Sequence, residues 1–430
     1  MTLQNNLEEL KISIENNSNS DSNNSNNYLW IKHNQYRLEA LNKFEYSIWS
    51  DIKHGLNIST KLKDITSLKD NINILTKGKT QLNISEYKKM KNEKDHTSEL
   101  LLNRGITFIS FKDFLQNEKY SEEYKKEIAE QIITNIHKKI NNKLDYIHQI
   151  MTNIQLIIFD KKYLSENKIQ IEKIIEGNSY NHLIIIINEE SKLELYLKTS
   201  INHTQNIPNT SQNIITDFTE IIISKNCDIE IVEQRQLSCE DIIYGKKNMT
   251  IEQNSNVNWI TIDTDSKLTF IENNAKLIGD NGTIKINNLI CGNNSNYTLN
   301  NISEHIGTNT KSLMQNKCGL KNSNAIIKGL IKINKNANNS NGYQKSDIML
   351  IDNNSRGISI PELEIHNNDV KCSHGSTITR LDEEKIFYLE SRGINKNDAE
   401  KLLIDGFYNI ILSNITNETL RNEIRIEVLK

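Results

Sequence analysis

Little in these 430 residues points to a familiar catalytic or membrane chemistry, and each shortage excludes something. Cysteine is scarce: Cys227, Cys239, Cys291, Cys318 and Cys372 are odd in number, widely scattered and without a CxxC pair. That spacing supports neither a disulfide framework nor a zinc ribbon. Charge of either sign is not in surplus, since 52 Lys and Arg face 55 Asp and Glu for a formal net charge of -3. Such a balance leaves no footprint for nucleic acid or an anionic membrane. Apolar runs are short, and Leu183–Ile187 falls far below the ~20 residues that a membrane-spanning helix needs. The opening stretch MTLQNNLEELKISIENN has no basic n-region, no continuous apolar h-region and no Arg-rich amphipathic pattern. It reads as neither a secretory signal nor a transit peptide. HExxH, GxSxG and GxGxxG do not occur in usable context, and LTKGKT (Leu75–Thr80) has Asn73 where a P-loop needs its first glycine. The expectation is a soluble protein of a reducing compartment: the cytoplasm or, if organelle-encoded, a plastid or other organelle stroma.

What is present divides the chain into parts. Asparagine fills many of the positions that the low hydrophobic fraction of 36% leaves open, and it is spread along the chain rather than gathered in one prion-like tract. Residues 1–27 end in NNSNSDSNNSNN and predict a disordered low-complexity tail. Residues 28–154 read as a mainly helical domain. Trp30, Tyr36, Leu38, Leu41 and Phe44 give a rough helix period, and Ile128, Ile132, Ile136 and Ile140 recur at i, i+4, with a possible strand at Ile106–Ser110. From about 155 to 380 short β-rich runs follow one another: HLIIII, KLELYL, TEIIIS, DIEIVEQ, NWITID, KLTFIE, TIKINNLI, AIIKGLIKI. Turn signals separate them about every 8–12 residues, which implies an all-β unit. The length of the region, the even spacing and the asparagines at the corners favour a β-solenoid over a pair of sandwiches, because Asn tolerates left-handed bends.

Residues 381–430 return to helix. Asp382 is placed to cap LDEEKIFYLESRG, with Glu383 and Glu384 in its first turn, Ile386 and Leu389 on one face and Gly393 as the stop. A second helix is expected from Asn395, bringing Ala399, Leu402, Leu403 and Phe407 together. A third, capped by Thr416, would align Leu420, Ile424 and Val428. These segments are short and amphipathic, so they need a partner surface, their own or another protein's.

The chemistry concentrates in PELEIHNNDVKCSHGST, residues 361–377. If Asp369–Ser373 is extended, Cys372 and His374 point the same way about 7 Å apart, offering a thiolate and an imidazole from one strand face. Iron or zinc suits that pair, but tetrahedral coordination wants four ligands, so the cluster is half of a site shared between subunits or no site. A cysteine nucleophile activated by His374 is the rival, and it lacks an orienting group and an oxyanion hole in the sequence. On spacing alone a structural cysteine and a polar histidine remain the plainest reading.

The segment around it carries more. Gly342–Gln344 (Gly-x-Gln), P-x-LEI, DVKCSHG, LDEE-x-x-FYL, SRGI and A-x-x-LL, within Gly342–Phe407, resemble the C-terminal signature of the SufB/SufD family of iron–sulfur cluster assembly scaffolds, on its SufD side. ISEHIGTNTKS (Ile302–Ser312) is similar to the strand and turn before that family's final coils, and CSHG stands where SufB carries a glutamate-containing stretch. The resemblance implies a mainly β fold, a right-handed parallel β-helix core flanked by N-terminal and C-terminal helical regions. It implies a non-catalytic scaffold subunit, pairing with SufB through the last β-helix strands in a SufBC2D complex, with ATPase activity residing in the partner SufC. It implies a nascent iron–sulfur cluster shared with SufB, with His374 the stronger ligand and Cys372 the weaker, and a flavin in the assembled complex only. Glu364, Asp369, Val370, Lys371 and Ser373 fall at the expected SufB interface. Phe387, Tyr388, Arg392, Leu402, Leu403 and Phe407 fall on the helices expected to dock SufC. Two other classes stay open beside it: a β-helix carbohydrate-active enzyme, which wants grouped acids on a strand face, and a cysteine-dependent hydrolase. Cys227, Cys239, Cys291 and Cys318 have no motif around them and read as small buried side chains.

Overall fold

A computed structural model describes residues 10–15, 27–46, 52–53, 59–60, 79–86, 105–137, 142–164, 168–201, 213–237, 241–264 and 266–429. Its centre is a parallel β-solenoid of about eight turns, as the strand spacing predicts. Successive strands alternate between two sheets. One sheet holds β3 (Lys79–Glu86), β6 (Ile169–Glu176), β8 (Lys192–Ile201), β10 (Asp228–Gln236), β12 (Asn256–Thr264), β14 (Thr283–Asn293), β16 (Lys311–Lys321), β18 (Ser340–Leu350) and β20 (Val370–Arg380). The other holds β4 (Ile106–Ser110), β5 (Asn153–Phe159), β7 (Ser179–Ile187), β9 (Ile214–Ile223), β11 (Ile242–Ile251), β13 (Leu268–Leu277), β15 (Asn296–His305), β17 (Asn324–Ile333) and β19 (Arg356–Ile365). A two-stranded pair, β1 (Ile52–Lys53) with β2 (Ser59–Thr60), stands apart from both.

Alternation along each strand sends one set of side chains inward. In β17 the inward set is Ala325, Ile327, Ile331 and Ile333, all buried, while Lys328 and Lys332 face out to Glu362 and Glu304. Stacked coils therefore share interior columns. One runs Ile231, Trp259, Ile286 and Met314 through β10, β12, β14 and β16.

The corners confirm the role read for asparagine. Among the described residues nine non-glycine residues adopt left-handed backbone angles, and seven are Asn: 226, 254, 281, 294, 309, 322 and 339. Asn254 Nδ2 donates to Asn226 Oδ1 at 3.1 Å and Asn281 Nδ2 to Asn254 Oδ1 at 2.9 Å, so the same residue supplies the bend and links it to the coil below.

Among the described residues, one buried network joins six charges. Lys173 pairs with Asp217 at 2.5 Å, Arg235 with Glu233 at 2.8 Å and with Asp263, and Lys247 with Glu233. Burial alone would push the Asp217 carboxyl up, but Lys173 and Lys247 overcome it and bring it down to about 2. Three cations against three anions leave this network neutral, which is the condition under which buried charge is tolerated.

The N-terminal region holds more strand than the helical reading gave it: the β1–β2 pair and β3 besides β4. β3 and β4 pair antiparallel with β6 and β5 and cap the first turn of the solenoid. The strand read at Ile106–Ser110 is β4, whereas β3 lay hidden in polar alternation. Helices α1 (Asn27–Tyr46), α2 (Phe111–Gln116), α3 (Glu122–His137) and α4 (Lys143–Met151) pack on the outer face of the β5–β13 sheet through Phe44, Phe114, Ile132 and Ile147. Residues 10–15 are helical and Ile14 is buried in that packing, so the tail is held at this point. The low-complexity stretch 16–26 and most of LTKGKT lie outside the described residues.

At the other end α5 (Glu383–Ser391), α6 (Lys396–Leu412) and α7 (Glu418–Val428) follow β20. Asp382 is the N-cap read from the sequence, Asn395, read as the start of the second helix, is its N-cap, and Gly393 stops α5 at φ 87. The third cap is Asn417 rather than Thr416, because the Asn417 side chain reaches Leu420 N at 3.0 Å while Thr416 N donates to Glu230. For α6 and α7 the solenoid itself supplies a partner surface. Tyr408, Ile411, Leu412, Ile415, Leu420 and Ile424 bury against Tyr196, Val232, Ile260 and Leu289 on the outer face of the β8–β16 sheet. Gly319 makes the seat, since a Cβ there would lie 2.2 Å from Tyr408 Oη.

Candidate functional site

β19 and β20 are the last strands of their sheets, so each presents an edge with nothing beyond it among the described residues. The interior columns show what the edge lacks. Ile290, Cys318 and Ile348 are no more than 2% exposed, but Ile378, next in that column on β20, is 45% exposed. Leu277, His305 and Ile333 are fully buried, and the next residue, Ile365 on β19, is 42% exposed. Core positions at this end stand open because no further coil covers them. Pro361, with no N–H, removes one donor from the β19 edge.

Cys372 and His374 lie on β20 with one residue between them, in register with Gly342 and Gln344 of β18. They share a strand face, as the extended reading requires, but not an environment. Cys372 is half-buried against the interior apolar cluster, and its burial pushes the thiol up. Such a group is a reluctant thiolate, which weakens it as nucleophile or ligand in the chain by itself. His374 is exposed. Imidazole is a competent iron ligand. Among the described residues no three His, Cys, Asp or Glu side chains come together as a metal site.

The other expected interface residues surround this edge. Lys371 and Ser373 are exposed beside His374, Val370 is half-buried against the core, and the Asp369 carbonyl accepts from Asn339 N at 2.7 Å, ending the corner ladder. Glu364 faces outward and receives His366 Nε2 at 2.8 Å; that hydrogen bond, with Lys332 near, holds its carboxyl below the usual range. On the C-terminal helices, Phe387 is 73% exposed, Tyr388 and Leu402 are exposed, and the Arg392 guanidinium lies 5.2 Å from the Tyr388 ring centre. Leu403 is half-buried. Phe407 takes another role: it packs toward the solenoid with the Lys317 ammonium 4.6 Å from its ring centre. Ala399 is buried while Leu402 is exposed, so α6 divides the apolar set that its sequence groups together.

Of the strand acids, Asp217, Glu233 and Asp263 are enclosed and paired with Lys and Arg. Cys227 and Cys318 are buried as expected, Cys291 is half-buried, and Cys239 lies outside the described residues. Sequence reasoning missed Gln344 as an individual actor; its only signal was the Gly-x-Gln of the family-like stretch.

A parallel β-solenoid with helices folded back on its outer faces and an open, histidine-bearing terminal edge is an assembly platform in form. The family model described as "SUF system FeS cluster assembly, SufBD core domain" matches residues 170–407, and the chain belongs to that family. It is similar to the iron–sulfur cluster assembly protein SufD of Bacillus subtilis, 25% identical over 292 residues, covering 66% of this chain and 65% of the relative. It is 31% identical over 161 residues to the SufD of Escherichia coli, covering 35% of this chain and 36% of the relative. Over 175 residues it is 28% identical to a SufBD family protein of Synechocystis, covering 40% of this chain and 36% of the relative. The chain thus spans from about a third to about two thirds of the length of these three curated relatives. Among the described residues no helix is long and apolar enough to cross a membrane.

Proposed function

We propose that this chain is the SufD-type scaffold subunit of a SUF complex, without catalysis of its own. Its β19–β20 edge pairs with SufB, and the nascent iron–sulfur cluster is cargo built at that seam. One observation carries the reading: interior columns that are closed along the solenoid open at Ile365 on β19 and at Ile378 on β20, the strand that bears Cys372 and His374. A partner β-edge placed there covers the apolar positions and gives the unpaired main-chain groups their hydrogen bonds.

In this reading His374 supplies one imidazole to iron and the partner chain supplies the rest. Cys372 contributes less, because its thiol must leave apolar contact and lose its proton before it can bind metal. The exposed aromatic pair Phe387 and Tyr388, with Arg392 and Leu402, forms the surface for the ATPase SufC. Leu403 borders it, and Phe407 stiffens it from beneath by pinning α6 to β16. Load applied there reaches the solenoid by two routes: the short link Leu381–Asp382 to β20, and the packed face of α6 and α7. Co-expression with SufB and SufC followed by size exclusion tests the assignment. The chain is expected to co-elute with both, and elution alone with both partners present sinks it.

A further inference from the structure

The interior column beneath His374 changes character one coil too early for a packing core. Ile231, Trp259, Ile286 and Met314 are apolar and at most 1% exposed, but the next residue, in β18, is Gln344. His374 stands directly after it in the register. Gln344 is 2% exposed, so its carboxamide has left water, which is costly unless the group is hydrogen-bonded.

Its partner lies in the opposite sheet. Gln344 Nε2 donates to the main-chain carbonyl of Glu362 in β19 at 3.0 Å. The side chain therefore crosses the interior from β18 and takes hold of the terminal strand of the other sheet. Room for the crossing comes from Gly329 in β17, where an added Cβ would sit 2.0 Å from Gln344 Oε1 and 3.2 Å from its Cδ. Gly329 pairs with Pro361, next to Glu362. A glycine in mid-strand, which sacrifices packing, and a buried amide in an apolar column are both unfavourable taken singly. Together they form one device.

We infer that Gln344, seated through Gly329, is a positioning residue: it ties β19 to β18 across the interior and so sets the spacing of the two terminal edges at His374. The inference rests on the proposed role of His374 for its consequence, but not for its geometry. A terminal strand is held by a neighbour on one side only, so it is the strand most in need of a cross-brace. Positioning of a ligand demands tolerances that loose edges do not provide.

The test uses the full-length chain with Gln344→Met, which restores the residue type of the column at similar volume and deletes the donor. Loss of one such hydrogen bond is expected to speed amide exchange within residues 356–365 by about three- to tenfold, leaving β13 and β15 unchanged. In histidine-selective NMR the His374 ring resonance is expected to shift or broaden while that of His305, held inside the solenoid, stays as in the parent. Gly329→Ala is expected to reproduce both effects from the opposite sheet and to add little in the Gln344→Met background. Co-expressed with SufB and SufC, Gln344→Met is expected to assemble but to retain several-fold less cluster. Unchanged exchange in β19, or a general loss of protection along the solenoid, overturns the cross-brace. Loosened β19 with undiminished cluster overturns the positioning role. His374→Ala separates the two readings: it is expected to leave β19 exchange as in the parent, and full cluster retention in that variant rejects the ligand reading instead.

Discussion

Acidification should unlock the solenoid at His305. This imidazole is fully buried, with Nδ1 at 2.8 Å from Thr310 Oγ1 and Nε2 at 2.8 Å from Ser312 Oγ. A neutral ring satisfies both hydroxyls, donating through one nitrogen and accepting through the other. Burial lowers its pKa from 6.5 to about 4. The unfolded chain therefore binds a proton between pH 6.5 and 4 that the folded chain refuses. Stability from this group is fully present above pH 6.5 and is lost as pH falls toward 4. The difference amounts to about 3 kcal/mol, at roughly 1.4 kcal/mol for each pH unit. Urea denaturation of the parent and of His305→Gln, measured from pH 7 to pH 4, isolates the contribution from that of other histidines. The variant should gain about 3 kcal/mol relative to the parent across that range. A difference that is flat with pH, or an NMR titration placing the His305 pKa near 6.5, would refute the reasoning.

Two further substitutions address the fold that carries the site. Asn254→Ala places a Cβ-bearing residue without a side-chain hydrogen bond at φ 57 and cuts the ladder from Asn226 to Asn281, so thermal denaturation should show a loss of about 1–2 kcal/mol. Asn254→Gly should recover most of it. Gly319→Ala drives a methyl into Tyr408 Oη at 2.2 Å and should lift α6 from β16, costing about 1–3 kcal/mol and speeding amide exchange in α6 before the solenoid opens.

Much of this architecture was legible because its signals are local. Strand runs such as AIIKGLIKI alternate cleanly, asparagine marks the bends, and Asp382, Asn395 and Gly393 punctuate the C-terminal helices. The coil register was not legible. The column from Ile231 to His374 interchanges Ile, Trp, Met, Gln and His, so no single residue type marks it from coil to coil. Polar alternation in KTQLNISE concealed β3, which earns its place by pairing with β6. The site was half legible. Strand alternation placed Cys372 and His374 on one face, but only the packed fold separates a thiol pressed into the core from an exposed imidazole. For α6 the sequence could not choose a face, because Leu402 and Ile410 outside are as apolar as Ile411 and Leu412 inside.

The central claim is that this chain lends one ligand to a cluster completed by its partner. Its most direct test is His374→Ala in the chain co-purified with SufB and SufC, read by iron and sulfide content and by the visible absorption of the cluster. The account predicts an intact complex that carries little or no cluster, with Cys372→Ser keeping most of it. Cluster at the parental level in the His374→Ala complex would contradict the account.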